Sequence, residues 1–248
     1  MRDYHPSPNL LKERVILVTG AGDGIGRAAS QRFAAFGATV ILLGRTLRKL
    51  EQVYDEIEQA GYPQPAIYPL NLEGASPKDY LDLALKLETE FGRLDGLLHN
   101  AAILGTLTPI IHYNIELWYR VLQVNLNAPF LLTQAVLNLL CRSADATIVF
   151  TADAVSDEGR AYWGAYSVAK AGGQTLMKTL ASELETNTAV RVNSIDPGKV
   201  RSGLRLQAYP AGDADTWTDP EAVLDTYLYL IGPDSKGITG QTLKVQLE

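Results

Sequence analysis

Residues 19–26 read Thr-Gly-Ala-Gly-Asp-Gly-Ile-Gly, and no other stretch restricts the fold as much. Before it, Arg14-Val-Ile-Leu-Val-Thr19 is short, β-branched and continuously apolar, the pattern of a strand buried on both faces. After it, Ile25, Ala28, Ala29, Phe33 and Phe36 recur at helical spacing, and Gly37 closes the helix. A second buried strand follows at 39–43. Strand, helix and parallel strand within about 30 residues make a βαβ unit. Glycines let the backbone turn tightly and pass close to a pyrophosphate. The helix that follows offers unpaired N–H groups to the phosphates. A tight strand-to-helix turn also uses glycine, so the motif alone is weak and the context carries the reading. In this context the turn predicts a nucleotide cofactor, foremost a nicotinamide dinucleotide.

The alternation continues to the end of the chain. Helices are expected at 46–60, 77–91, 114–140, 163–186 and 220–231, and strands at 66–70, 94–99, 147–151, 190–195 and 239–245. Strands alternating with helices imply a parallel sheet covered on both faces. With no linker-like shift and no repeat, the expectation is α/β: a single Rossmann-type domain over 1–248 with a seven-stranded parallel sheet. The net charge of −6 argues against nucleic acid or an anionic membrane as the main partner, since both need concentrated Lys and Arg. The first 13 residues lack the apolar core of a signal peptide, and no 18-residue apolar stretch is expected to cross a membrane. The cytoplasm is the expected compartment. Cys141 is the only cysteine, without metal-ligand neighbours, and is expected to be a buried apolar residue on a helix.

At the end of the second strand a site for NAD usually places an acid that holds the ribose 2′-hydroxyl. This chain places Gly44 and then Arg45, which can pair with a 2′-phosphate. NADP is therefore expected over NAD; a solvated arginine opening the next helix is the alternative. Further on, Tyr166 and Lys170 stand four apart on a predicted helix, so both project from one face. A lysine cation beside a phenol stabilises the phenolate and makes the tyrosine a usable general acid or base; the spacing alone equally fits a surface Tyr/Lys pair, and the nucleotide-binding turn upstream is what favours the catalytic reading.

With these pieces in view, the chain resembles a short-chain dehydrogenase/reductase over nearly its full length. Residues 19–26 match that family's Thr-Gly-x-x-x-Gly-x-Gly turn. Leu98-His-Asn-Ala-Ala102 resembles its Asn-Asn-Ala-Gly segment, and Asn125 matches the asparagine of its fourth helix. Tyr166 and Lys170 match its Tyr-x-x-x-Lys, and Pro197-Gly198 with Ser202 its Pro-Gly-x-x-x-Thr/Ser. Residues 37–45 and Trp163-Gly-Ala-Tyr166 are similar to a bacterial YciK-like branch.

The resemblance implies hydride transfer between NADP(H) and a small carbonyl or alcohol substrate, with Tyr166 moving the hydroxyl proton. It implies that Lys170 holds the nicotinamide ribose and lowers the Tyr166 pKa, and that Asn125 fixes a relay water. It places Gly20, Asp23, Gly24, Ile25, Gly26, Arg45, Asn71, Leu72, Asn100, Tyr166, Lys170, Pro197, Gly198 and Ser202 against the cofactor. It places the substrate lid near 203–218 and implies a homodimer or homotetramer packed through 114–140 and 163–186.

The chain departs from the family in one place that matters for chemistry. The family's serine, thirteen residues before the tyrosine, is Asp153 here. Serine donates to the substrate oxygen as negative charge grows; an ionised aspartate only accepts. A protonated Asp153, the hydroxyl of Thr151, or Ser156 folding in are three ways to restore a donor. Otherwise the chain is a catalytically weak or inactive NADP(H)-binding protein, a sensor or an assembly subunit. Milder departures are Ala102 for glycine, Asn71 for aspartate, and a C-terminus, 245–248, without the usual Asp-Gly-Gly. His99 reads as structural, and Trp118 and Tyr119 as packing or subunit-contact residues.

Overall fold

The computed structural model describes residues 4–245. Its strands are β1 (Val15–Thr19), β2 (Thr39–Gly44), β3 (Ala66–Pro69), β4 (Gly96–His99), β5 (Thr147–Thr151), β6 (Arg191–Asp196) and β7 (Thr242–Lys244). They form one seven-stranded sheet in the order β3-β2-β1-β4-β5-β6-β7. Every pairing is parallel. The order reverses beside β1, and in such sheets the crevice beyond the carboxyl ends at that point is where ligands bind.

Period-2 alternation splits each central strand between two cores. Ile16 and Val18 of β1 face one layer, together with Phe33 of α1 (Gly24–Ala35), Leu50 of α2 (Leu47–Gln59) and Tyr227 of α9 (Leu224–Ile231). Val15 and Leu17 face the other layer, with Leu83 of α3 (Pro77–Phe91), Leu132 of α5 (Ala128–Cys141) and Met177 of α7 (Gly164–Leu184). Each such fully buried side chain contributes about 1.5–3 kcal/mol of transfer free energy. This two-sided burial explains why the strands read as continuous apolar runs.

Local signals set the element ends. Ser76 and Asp79 form a capping box and Pro77 opens α3, while Gly92 closes it in the left-handed region at φ 71°. The expected bounds, 77–91, are the observed ones.

The single helix expected at 114–140 is instead α4 (Ile115–Leu122), a π-turn over Gln123–Asn127, and α5. Pro129 lacks the N–H that would bond the carbonyl four residues back, that of Asn125, so the regular ladder breaks there. The run Ile115–Cys141 is long and apolar enough to cross a membrane, contrary to the expectation that no such stretch exists; half of its most apolar window is buried in this fold. Cys141 also differs from expectation. It is exposed at the end of α5, where Leu139 and Leu140 take the inward positions. The helix expected at 220–231 begins as a 3₁₀ turn, and β7 is shorter than 239–245. The departing C-terminal residues 246–248 lie outside the described residues.

Candidate active site

A cleft of about 600 Å³ runs beyond the carboxyl ends of the central strands. Its floor at one end is the glycine-rich turn. Gly20 and Gly24 have φ of 68° and 48°, a region that strains other residues. A Cβ on Gly26 would fall 2.1 Å from the carbonyl oxygen of Gly20. That glycine packs the helix against the strand; unlike Gly20, Gly24 and Ile25 it does not line the cleft. Thr19, which the expected site omits, ties the turn down: its hydroxyl accepts from the N–H groups of Asn100 (2.9 Å) and Ala101 (3.1 Å).

Asp23 caps α1 by accepting from the Gly24 N–H at 2.8 Å. Its carboxylate also pairs with Lys49 at 2.5 Å, which holds its pKa below the usual range. The turn therefore presents a neutralised pair to the cleft instead of a bare negative charge. Beyond it, Arg45 is exposed on the cleft wall with no ion pair among the described residues. Asn71 and the buried Leu72 close this end, and the Asn71 side chain accepts from the Glu73 N–H at 3.2 Å.

At the other end α7 presents Tyr166 and Lys170 together. Tyr166 is buried and Lys170 half-buried in the cleft wall. The Tyr166 hydroxyl donates to Oδ2 of Asp153 at 3.0 Å, and Oδ1 of Asp153 accepts from the Val155 N–H at 3.1 Å. Burial first, then the Asp153 charge and hydrogen bond, push the Tyr166 pKa well above its ordinary value. This is opposite to the lowering expected from Lys170. Lys170 Nζ lies 5.6 Å from the ring centroid and donates to the carbonyl of Thr151 at 2.8 Å. Burial lowers its own pKa to about 8.

Two suggested replacements for the missing serine are engaged elsewhere. The Thr151 hydroxyl is shared with Asn100 and Tyr227, at 3.4 and 3.3 Å. Ser156 donates to Asp157 and is not part of the cleft wall. Asn125 lies behind the cleft: its buried amide pairs with both backbone groups of Ile103, at 2.8 and 2.9 Å. Asn100, Ala102, Pro197, Gly198 and Ser202 all line the cleft. Gly198, at φ 72°, receives a cap from Asp196, and Ser202 caps α8 (Gly203–Ala208) by accepting from the Arg205 N–H at 3.1 Å.

His99 is buried against Phe150, shares a hydrogen bond with Thr133 at 2.8 Å, and has its pKa lowered to about 3 by burial. That environment suits a structural group. Trp118 stacks edge-on against Tyr113, while Tyr119 is exposed. The segment 203–218 overhangs the cleft through Leu204, Arg205, Ala208 and Tyr209. Tyr209 stacks on Trp163, whose ring contacts Tyr166. This aromatic wall was not foreseen, because its members are distant in sequence.

A family model described as short chain dehydrogenase matches residues 14–211. "Uncharacterized oxidoreductase YciK" of Escherichia coli K12 is 43% identical over 243 residues, spanning 98% of this chain and 96% of that protein. A solved structure from Pseudomonas syringae superposes with a TM-score of 0.97 at 55% identity, covering 99% of this chain and all of that one (100%). Another, from Escherichia coli CFT073 and complexed with NADPH, has a TM-score of 0.94 at 42% identity, covering 98% of this chain and 100% of its own.

Proposed function

The chain belongs to the short chain dehydrogenase family, and we propose that it is an NADP(H)-dependent oxidoreductase acting on a carbonyl or alcohol, with Tyr166 as its acid/base. One observation carries the reading. A single cleft joins a glycine cradle and an uncommitted Arg45 at one end to Tyr166 and Lys170 at the other.

The donor set fits the cofactor. Gly20, Gly24 and Ile25 line the cleft at the N-terminus of α1, where a helix start favours a phosphate. Arg45 is available for the 2′-phosphate, with Asn71 and Leu72 beside the adenine and Asn100, Pro197, Gly198 and Ser202 along the nicotinamide half. The nicotinamide-bearing structure at 42% identity supports this choice of cofactor. Bound there, the nicotinamide supplies or accepts the hydride.

The protein's own residues manage the proton. In reduction the Tyr166 O–H gives its proton to the substrate oxygen, and in oxidation the phenolate takes it back. Lys170 holds a positive charge behind the pair and, by its bond to Thr151, a fixed position. Asn125 acts at one remove, by clamping the backbone at Ile103. Asp153 opposes phenolate formation, which keeps Tyr166 protonated at rest and makes it a poorer proton donor to the substrate oxygen. The same contact supports the second reading, a cofactor-binding protein with weak turnover.

Calorimetry with NADPH, followed by NADPH oxidation across aldehydes, ketones and diketones, tests the proposal. Tight binding with no turnover, restored by Asp153→Ser, is the result that would move the protein to the second reading. A homodimer or homotetramer through α4, α5 and α7 is part of the proposal, supported by the exposed Ile115, Tyr119, Phe130 and Val168 on those helices. A monomer by light scattering at micromolar concentration would contradict it.

A further inference from the structure

Two arginines share Tyr209 beside the cleft: Arg205 and Tyr209 line it, and Arg160 reaches the same tyrosine from outside the lining. The Arg205 guanidinium lies 4.4 Å from the ring centroid of Tyr209 and 5.6 Å from that of Trp217. The Arg160 guanidinium lies 5.8 Å from the same Tyr209 ring and donates to its hydroxyl at 2.6 Å. Among the described residues neither arginine has a carboxylate partner, although most of the chain's other arginines do. Nε of Arg205 is buried without any acceptor. In a chain of net charge −6, two cations held together without an acid need a reason.

Stacking explains where they sit but not what they pair with. An aromatic face orients a guanidinium and leaves its N–H edge free. That edge is a fork suited to a carboxylate or a phosphate. The buried Nε is out of an anion's reach, but an anion at the terminal N–H groups of Arg205 would supply the charge partner that no carboxylate among the described residues supplies. The wall from Tyr166 through Trp163 to Tyr209 is continuous, at centroid distances of 5.7 and 6.0 Å. A flat or apolar body lying on it would have its oxygen at Tyr166 and its far end at Arg205.

Resting on the reading of the cleft as an NADP(H)-dependent active site, we infer that the substrate is an anionic carbonyl compound or alcohol, whose carboxylate or phosphate is held by Arg205 with Arg160 beside it. The cofactor's pyrophosphate is the other anion within the cleft, since Ser202 and Gly24 adjoin at the start of α8. The experiment must separate the two.

The probes are 4-formylbenzoate and 4′-formylbiphenyl-4-carboxylate, against the neutral benzaldehyde and 4-formylbiphenyl. Each is assayed for kcat/KM with NADPH. The corresponding alcohols are titrated by calorimetry into the protein loaded with NADPH, which reads recognition without turnover. At least one carboxylate probe should be preferred over its neutral partner by roughly tenfold or more, the range of a charge-assisted contact. Arg205→Gln should bring the ratio close to one, Arg160→Gln should lower it part way, and Arg205→Lys should keep part of it. NADPH affinity should be unchanged in all three.

Equal binding of charged and neutral probes to the unaltered protein overturns the inference, as does a preference that survives Arg205→Gln. A roughly tenfold loss of NADPH affinity in Arg205→Gln, with no effect on the probes, assigns the arginine to the cofactor and also overturns it. Absence of turnover with every aldehyde counts against the proposed activity alone, because the calorimetric ratio still decides the anion site.

Discussion

Replacing Asp153 by serine removes a carboxylate oxygen 3.0 Å from the Tyr166 hydroxyl. At that distance, and at an effective dielectric near 20, a full phenolate and a carboxylate repel by roughly 5 kcal/mol. With the proton about half transferred, roughly 2.5 kcal/mol of that opposes the step. At ~1.4 kcal/mol per factor of ten, the barrier corresponds to about 50–100-fold in rate. Serine also supplies the donor that an ionised carboxylate lacks. Asp153→Ser should therefore raise kcat for aldehyde reduction by about two orders of magnitude, with little change in NADPH affinity.

The same variant has a pH signature. Alcohol oxidation needs the phenolate, so its rate rises with pH through the Tyr166 pKa. The Asp153 charge and hydrogen bond contribute to the raised pKa, and their removal should move that rising limb to lower pH. Burial, the larger cause, remains in the variant. Initial rates of NADP-linked alcohol oxidation from pH 6 to about 11 read the limb directly. An unchanged limb together with an unchanged kcat would refute the claim that Asp153 controls the proton on Tyr166.

Arg45→Ala should weaken NADPH binding by about 10–100-fold, the value of a charge-assisted contact, and leave NADH nearly unaffected; equal losses by calorimetry would remove the 2′-phosphate role. Gly26→Ala drives a methyl to 2.1 Å from the Gly20 carbonyl, so urea unfolding should show a loss of about 3 kcal/mol or more; a neutral outcome would mean that the turn is not packed as described. His99 has a folded pKa of about 3 against ~6.5 unfolded, so the folded state binds fewer protons between those values. Its contribution is complete above pH ~6.5 and is lost as pH falls toward 3, about 2 kcal/mol of it between pH 7 and 5. Urea titrations should show that slope in the unaltered protein and a shallower one in His99→Gln.

The fold was largely legible because its signals are local. Continuous apolar strands, the turn glycines and the Pro77–Gly92 frame of α3 are all written in neighbouring residues. The break at Gln123–Asn127 was missed because Pro129 lies within an otherwise regular apolar helix pattern. The exposure of Cys141 was missed because composition does not say which side of a helix end faces the core. The upstream turn together with the resemblance to the family's Tyr-x-x-x-Lys pattern singled out Tyr166 and Lys170, and the family's serine position singled out the departure at Asp153. The direction of the Tyr166 pKa shift was not legible, since it depends on a 3.0 Å contact and on burial together. The pairings of Lys49 with Asp23 and of Arg160 with Tyr209 join residues 26 and 49 positions apart, and no sequence pattern marks them.

The most direct test of the account follows NADPH oxidation with an aldehyde panel in the unaltered protein, Tyr166→Phe and Asp153→Ser, with NADPH affinity measured for each. The account predicts that all three bind NADPH alike, that Tyr166→Phe abolishes turnover, and that Asp153→Ser turns over faster than the unaltered protein. Turnover that survives Tyr166→Phe at the unaltered rate would contradict it.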